Sequence, residues 1–122
     1  MKQVRIFILA AFACALAATA AFAHAFLDHA APAVGSTVKG SPSELELSFT
    51  QNIVPAFSGA EIASAEGGAI PAGKASVDSG SPNVMHVRIG RALKAGVYLV
   101  SWHVVSIDTH RTSGTYKFTV AP

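Results

Sequence analysis

The sequence predicts an all-β fold, an antiparallel β-sandwich or barrel of Greek-key type with an immunoglobulin-like arrangement of about seven strands. Two observations lead to this fold class. Short segments of alternating apolar and polar residues recur along the chain, and Gly, Pro and Ser separate them at regular spacing. No segment sustains the 3.6-residue period of an amphipathic helix. Short alternating strands with regular turn signals between them are typical of an antiparallel sandwich.

Each predicted strand follows from its own pattern. In residues 44–49, Leu45, Leu47 and Phe49 alternate with acids and serine, which indicates a strand with one buried face. In residues 84–89 the apolar Met85 and Val87 alternate with His86 in the same way. The strands whose bounds the pattern indicates are 24–29, 44–49, 60–63, 84–89, 97–105 and 115–120, with loops at 31–36, 52–58, 66–73 and 78–82.

Residues 1–23 have the features of a cleaved secretory signal peptide. Lys2 and Arg5 supply a positive start, an apolar run follows, and Ala21-Phe22-Ala23 is an Ala-x-Ala cleavage site. The apolar run is short for a retained membrane anchor. Lipidation at Cys14 is disfavoured because a bulky Phe12 precedes it. We therefore expect an exported protein without membrane insertion, whose single domain spans residues 24–122.

Charge and cysteine content exclude several function classes. The chain has nine Lys and Arg residues and seven Asp and Glu residues. Two of the nine, Lys2 and Arg5, belong to the signal. The domain is therefore close to neutral, which argues against nucleic acid or an anionic membrane surface as a partner. The one cysteine, Cys14, also lies in the signal, so the domain has neither a disulfide nor a thiolate ligand.

Three residues form a candidate metal site. Cleavage after Ala23 would make His24 the first residue, with a free α-amine beside its imidazole. Asp108 and His110 are two positions apart, so in extended chain their side chains point to the same side. One amine, two imidazoles and one carboxylate are ligands suited to a divalent transition metal, above all Cu(II), which prefers nitrogen and oxygen donors in a tetragonal plane.

Simpler interpretations exist for each part of this set. An Asp-x-His pair in a loop is more often a turn-capping Asp beside a surface His, and a terminal His is a weak signal alone. Their combination in a small exported β-protein favours a metal role. His29 and His103 are read as surface residues, with assistance to the site left open, and His86 is read as an exposed strand residue.

The segment from Tyr98 to Val120 closely resembles the periplasmic copper-resistance protein CopC family. The hallmark is a Trp in the strand before Ser-x-Asp-x-His, followed by Gly and an aromatic-x-Phe-x-Val strand. Further similarity lies in the starting His24-Ala25-Phe26-Leu27 with Pro32 and Gly35, and in the middle segments Leu47 to Asn52 and Phe57-Ser58-Gly59. The resemblance implies a cupredoxin-like Greek-key fold that binds Cu(II) through His24, Asp108 and His110.

The sequence departs from this family in two places. Some relatives bind Cu(I) through a methionine-rich loop, but residues 63–77 contain no methionine here. Some relatives carry a Glu at the position of Gln51, so a carboxylate is missing there. We therefore expect one Cu(II) ion per chain and no dedicated Cu(I) site. The expected function is to sequester or carry copper as a monomer, with delivery to an inner-membrane copper transporter of the CopD type.

Other function classes compete with that of a non-enzymatic copper carrier. Polysaccharide monooxygenases also bind copper through an N-terminal His, but a carboxylate ligand disfavours the Cu(I) state that oxygen activation needs. A blue-copper electron carrier requires a Cys ligand and is excluded. Ser106, Asp108 and His110 lie too close on one loop for a catalytic triad. A metal-free β-sandwich interaction module remains as the other alternative.

Overall fold

The computed structural model describes residues 25–122 as nine strands and one short 3-10 helix. The strands are β1 (Leu27–Ala31), β2 (Thr37–Val38), β3 (Glu44–Phe49), β4 (Gly59–Ser64), β5 (Ala69–Ile70), β6 (Ser76–Asp78), β7 (Ser81–Arg88), β8 (Gly96–Val105) and β9 (Arg111–Val120). The 3-10 helix spans Pro55–Phe57. Within the described part of the chain, no helix is long and apolar enough to cross a membrane.

The strands form two sheets that face each other. One has the order β1-β3-β7-β6 and the other has the order β2-β9-β8-β4-β5, so neighbours in space are often distant in sequence. The predicted all-β sandwich is confirmed, and the two sheets do not close into a barrel. One pairing departs from the antiparallel prediction, because β2 runs parallel to the end of β9.

Alternation along the strands builds one core between the sheets. Leu45, Leu47 and Phe49 of β3 are buried, and the intervening Glu44 and Glu46 are exposed. The same pattern runs along β7, β8 and β9, as expected for strands with one buried face. The remaining large buried side chains of these three strands are Met85, Val87, Tyr98, Val100, Trp102, Val104, Tyr116, Phe118 and Val120.

The hairpin of β8 and β9 is the longest element of the fold and carries the candidate site at its tip. Its register runs from Gly96 opposite Val120 to Val105 opposite Arg111. Within it, Gly114 stands opposite Trp102, where an added Cβ would come 2.6 Å from Cζ2 of the indole. Only glycine lets the ring lie against the strand there. Strand β9 begins at Arg111, four residues before the predicted start at Thr115, so the pairing of β8 with β9 continues closer to the tip than expected.

Candidate metal centre

The tip of the β8–β9 hairpin is a tight loop with a fixed backbone. The amide of Ser106 donates to the carbonyl of His110 at 3.0 Å, and the amide of Thr109 donates to the carbonyl of Ser106 at 2.9 Å. Thr109 has a φ of 70°, in the left-handed region. This pattern is typical of a three-residue hairpin loop that closes with a left-handed residue. A non-glycine residue there costs about 1–2 kcal/mol, and such strain is concentrated at functional sites.

Buried Ser106 organises the two ligand candidates of the loop. Its side chain is 0% exposed, and its hydroxyl donates a hydrogen bond to Oδ1 of Asp108. The same Oγ lies 3.3 Å from the carbonyl oxygen of His110. The other carboxylate oxygen of Asp108, Oδ2, lies 3.2 Å from Nδ1 of His110. The structure therefore brings Asp108 and His110 together.

The electrostatics of the loop favour an ionised carboxylate. The hydrogen bond from Ser106 holds the pKa of Asp108 below its ordinary value of 3.8, and His110 lowers it further, although partial desolvation opposes both effects. The side chains of His110 and Asp108 remain 50% and 42% exposed. An anionic oxygen and an imidazole are thus presented together at the surface.

The connection between β3 and β4 supports this loop from behind. The amide of Ile107 donates to the carbonyl of Asn52 at 3.1 Å, and the amide of Val54 donates to the carbonyl of Val105 at 2.8 Å. Ile53 forms a bridge with Ser106. The loop is therefore held by backbone hydrogen bonds on two sides, which limits how far Asp108 and His110 can move apart.

His24, the third predicted ligand, lies outside the described residues. Its neighbour Ala25 is 1% exposed, and the carbonyl of Ala25 accepts a hydrogen bond from Oγ1 of Thr112 at 2.7 Å. Thr112 is two residues beyond His110 on β9. The next residue, Phe26, exchanges hydrogen bonds with Thr50: its amide donates to Oγ1 and its carbonyl accepts from the amide, both at 2.9 Å. The start of the described chain is therefore fixed at the edge of the hairpin tip.

Two further histidines, His29 and His103, lie on the surface. Nδ1 of His29 lies 3.1 Å from Oδ2 of Asp28, and the His29 side chain is 79% exposed. His103 is exposed on β8 and covers Gly59, where an added Cβ would come 3.1 Å from its ring. Both histidines thus occupy the surface positions that the sequence predicts for them.

Sequence reasoning missed two features of this arrangement. The first is the tether from Thr112 to Ala25, which joins residues far apart in sequence and has no local signal. The second is a cluster on the other sheet, where Glu44, Glu46 and His86 each place a ligand atom within 4.8 Å of the others. This cluster depends on the strand register that sets Glu46 opposite His86, and the sequence pattern does not give that register.

Comparison with known proteins places this fold and loop in a family. The profile of the CopC domain matches residues 27–121. Protein YobA of Escherichia coli strain K12 is 35% identical over 112 residues, covering 92% of this chain and 90% of that protein. Copper resistance protein C of Pseudomonas syringae pv. tomato is 37% identical over 113 residues, covering 86% of each.

A solved structure of a CopC protein also matches this chain. The crystal structure of CopC from Methylosinus trichosporium OB3b matches with a TM-score of 0.75 and 31% identity, covering 81% of this chain and 95% of that one. The chain belongs to the CopC family.

Proposed function

We propose that this protein is a periplasmic copper-binding protein that takes one Cu(II) ion as cargo and serves copper resistance or homeostasis. Family membership supports copper as the metal, because the Pseudomonas relative carries the name copper resistance protein C. The observation that carries the proposal for this chain is the pair of Asp108 and His110, whose facing side-chain atoms are 3.2 Å apart. Residues 1–23 supply the export signal.

His24, Asp108 and His110 are the proposed ligands. Thr112 fixes the backbone of Ala25 beside the strand that follows His110, which supports its chain neighbour His24 as a ligand at this tip. After cleavage His24 would offer two nitrogens, His110 a third and Asp108 an oxygen. Three nitrogens and one oxygen match the tetragonal preference of Cu(II).

Cu(II) is proposed over Cu(I) because of the available donors. Thioether and thiolate ligands select Cu(I). After the signal the chain has one methionine, Met85, and its side chain is 0% exposed in the core. An anionic carboxylate such as that of Asp108 stabilises the doubly charged ion more than the singly charged one.

The carrier role and its partner follow from the family resemblance. We propose a monomer that passes its Cu(II) to an inner-membrane copper transporter of the CopD type. The half-exposed position of the Asp108 and His110 side chains supports release to a partner, because a partner's ligands can approach them. The monooxygenase alternative has no support from the comparisons, in which the Pseudomonas relative is named for copper resistance.

The test is a competition titration with Cu(II) and a chromophoric chelator, on protein that begins at His24. The wild type is expected to bind one equivalent. His110→Ala should weaken binding at least about 100-fold, because it removes a direct nitrogen ligand, which costs more than the 10–100-fold loss of an outer partner. His103→Ala, which removes an exposed histidine of β8, is the matched control and should bind as the wild type does. Equal binding by the His110 variant would overturn the proposal.

A further inference from the structure

A second group of metal-ligating side chains lies on the outer face of the four-stranded sheet. Glu46 of β3 stands directly opposite His86 of β7, and Glu44 lies two residues away on the same face of β3. One oxygen of each glutamate and one ring nitrogen of His86 lie within 4.8 Å of one another. From this cluster we infer that the protein has a second metal site, for a divalent cation with mixed nitrogen and oxygen preference such as Zn²⁺.

The imidazole ring of His86 has a carboxylate near each of its two nitrogens. Its Nδ1 lies 3.2 Å from Oε1 of Glu44, and its Nε2 lies 3.6 Å from Oδ2 of Asp78 on β6. The His86 side chain is only 22% exposed, so its ring has limited freedom to turn away. Metal-ligating histidines commonly present one nitrogen to the metal while a carboxylate holds the other. Here Nδ1 lies beside Glu44, and Asp78 is the carboxylate on the opposite side of the ring.

The dimensions and charge of the cluster suit a small divalent ion. Zn²⁺ binds histidine nitrogen and carboxylate oxygen at about 2.0–2.2 Å, so two ligand atoms of a tetrahedral ion are about 3.5 Å apart. The Glu44 side chain is 49% exposed and can rotate the short distance that this requires. The cluster has three carboxylates, those of Glu44, Glu46 and Asp78. The basic residue next to them in the sheet is Arg88, the register partner of Glu44. The negative excess favours a cation.

The backbone that carries this cluster is rigid because its residues lie on paired strands. Strands β3 and β7 pair continuously from Glu44 opposite Arg88 to Ser48 opposite Val84. The inward neighbours Leu45, Leu47, Met85 and Val87 are all 0% exposed in the core. Sites built on such elements hold their geometry better than sites on loops. This cluster belongs to the β1-β3-β7-β6 sheet, whereas the hairpin tip joins strands of the other sheet.

The two sites differ in donor type and therefore in the metal that each favours. The hairpin tip offers nitrogen-rich ligation that suits Cu(II), whereas the sheet cluster offers one nitrogen and two or more carboxylate oxygens. We expect Cu(II) to fill the tip first, with Zn²⁺ binding at the sheet cluster in addition. The inference goes beyond the proposed function and does not depend on it.

The experiment is a Zn²⁺ titration by calorimetry on protein already loaded with one equivalent of Cu(II). The wild type should bind one Zn²⁺, and His86→Ala should weaken this binding at least about tenfold. Glu46→Gln should also weaken it, while the matched control His29→Ala, which removes an exposed histidine of the same sheet, should not. The His86 ring ¹⁵N resonances should shift when Zn²⁺ is added.

Failure of the two proposals can be told apart. The same titration on the double variant Asp108→Asn, His110→Ala reports on the sheet cluster even if the hairpin tip binds no copper. Unchanged Zn²⁺ affinity in His86→Ala, or equal losses in His86→Ala and His29→Ala, would overturn the inference and leave the cluster as a surface ion pair. Circular dichroism of each variant confirms that a loss of binding is not a loss of fold.

Discussion

The hydroxyl of Thr112 donates a hydrogen bond to the carbonyl oxygen of Ala25 across 2.7 Å. This contact connects the first described residue to β9 just beyond His110. It explains how a metal site could combine an N-terminal residue with a loop more than eighty positions away in the sequence. In the proposed account, Thr112 is a positioning residue that acts through Ala25 on the neighbouring His24.

Replacement of Thr112 tests this tether. Thr112→Val keeps the shape of the side chain but leaves the buried Ala25 carbonyl without this donor, which should lower the free energy of unfolding by about 1–3 kcal/mol. The Cu(II) affinity should fall as well, because the terminus is no longer held at the tip. Urea denaturation and a competition titration measure the two effects.

The matched control for the tether is Thr115→Val, which changes an exposed threonine on the same strand. It should alter neither quantity by a comparable amount. Normal Cu(II) affinity in a destabilised Thr112 variant would show that the contact serves folding only.

Ser106 is expected to tune the carboxylate of the site. Ser106→Ala removes the hydroxyl that donates to Asp108, so the pKa of Asp108 should rise towards its ordinary value of 3.8. The carboxylate also loses its orientation, and the Cu(II) affinity should fall about 10–100-fold, as for other outer partners of metal ligands. NMR titration of the Asp108 carboxyl group and a Cu(II) competition titration measure these changes.

Ser101→Ala, on the preceding strand β8, is the comparison for Ser106→Ala and should bind Cu(II) normally. If Ser106→Ala kept both the pKa of Asp108 and the Cu(II) affinity of the wild type, the hydroxyl would have no role in the site.

The pKa of Asp108 also predicts how stability depends on pH. Because the folded-state pKa lies below the ordinary value of 3.8, the carboxylate stabilises the folded protein at pH values above 3.8, and this contribution is lost as the pH falls through the folded-state pKa. The stability difference between metal-free wild type and Asp108→Asn should therefore be constant above that value and shrink below it. Urea denaturation at a series of pH values gives the difference, and a difference that grew on acidification would contradict the assignment.

Much of the fold could be predicted because each main strand has one apolar face. The alternation along residues 44–49 and 84–89 indicated buried faces that the structure shows at Leu45, Leu47, Met85 and Val87. The two-residue strands β2 and β5 are too short to carry a period and were missed. The start of β9 was missed because Arg111, Thr112 and Ser113 are polar and their pairing depends on β8 rather than on their own pattern.

The site was only partly predictable for a similar reason. The spacing of Asp108 and His110 suggested that they lie close together, and they do. The backbone conformation differs from the expected extended chain. The two residues lie in a tight loop with left-handed Thr109 between them, and the buried hydroxyl of Ser106 contacts Asp108. The cluster around His86 depends on the register of β3 against β7, which no local pattern encodes.

The most direct test of the copper assignment is electron paramagnetic resonance of the Cu(II)-loaded protein in two forms. One begins at His24 and the other carries a single extra glycine in front of it. The account predicts one tetragonal, nitrogen-rich signal in the first form, and an altered signal with weaker binding in the second, because the α-amine of His24 is lost as a ligand. Identical spectra and affinities in the two forms would contradict the proposed role of the N-terminus.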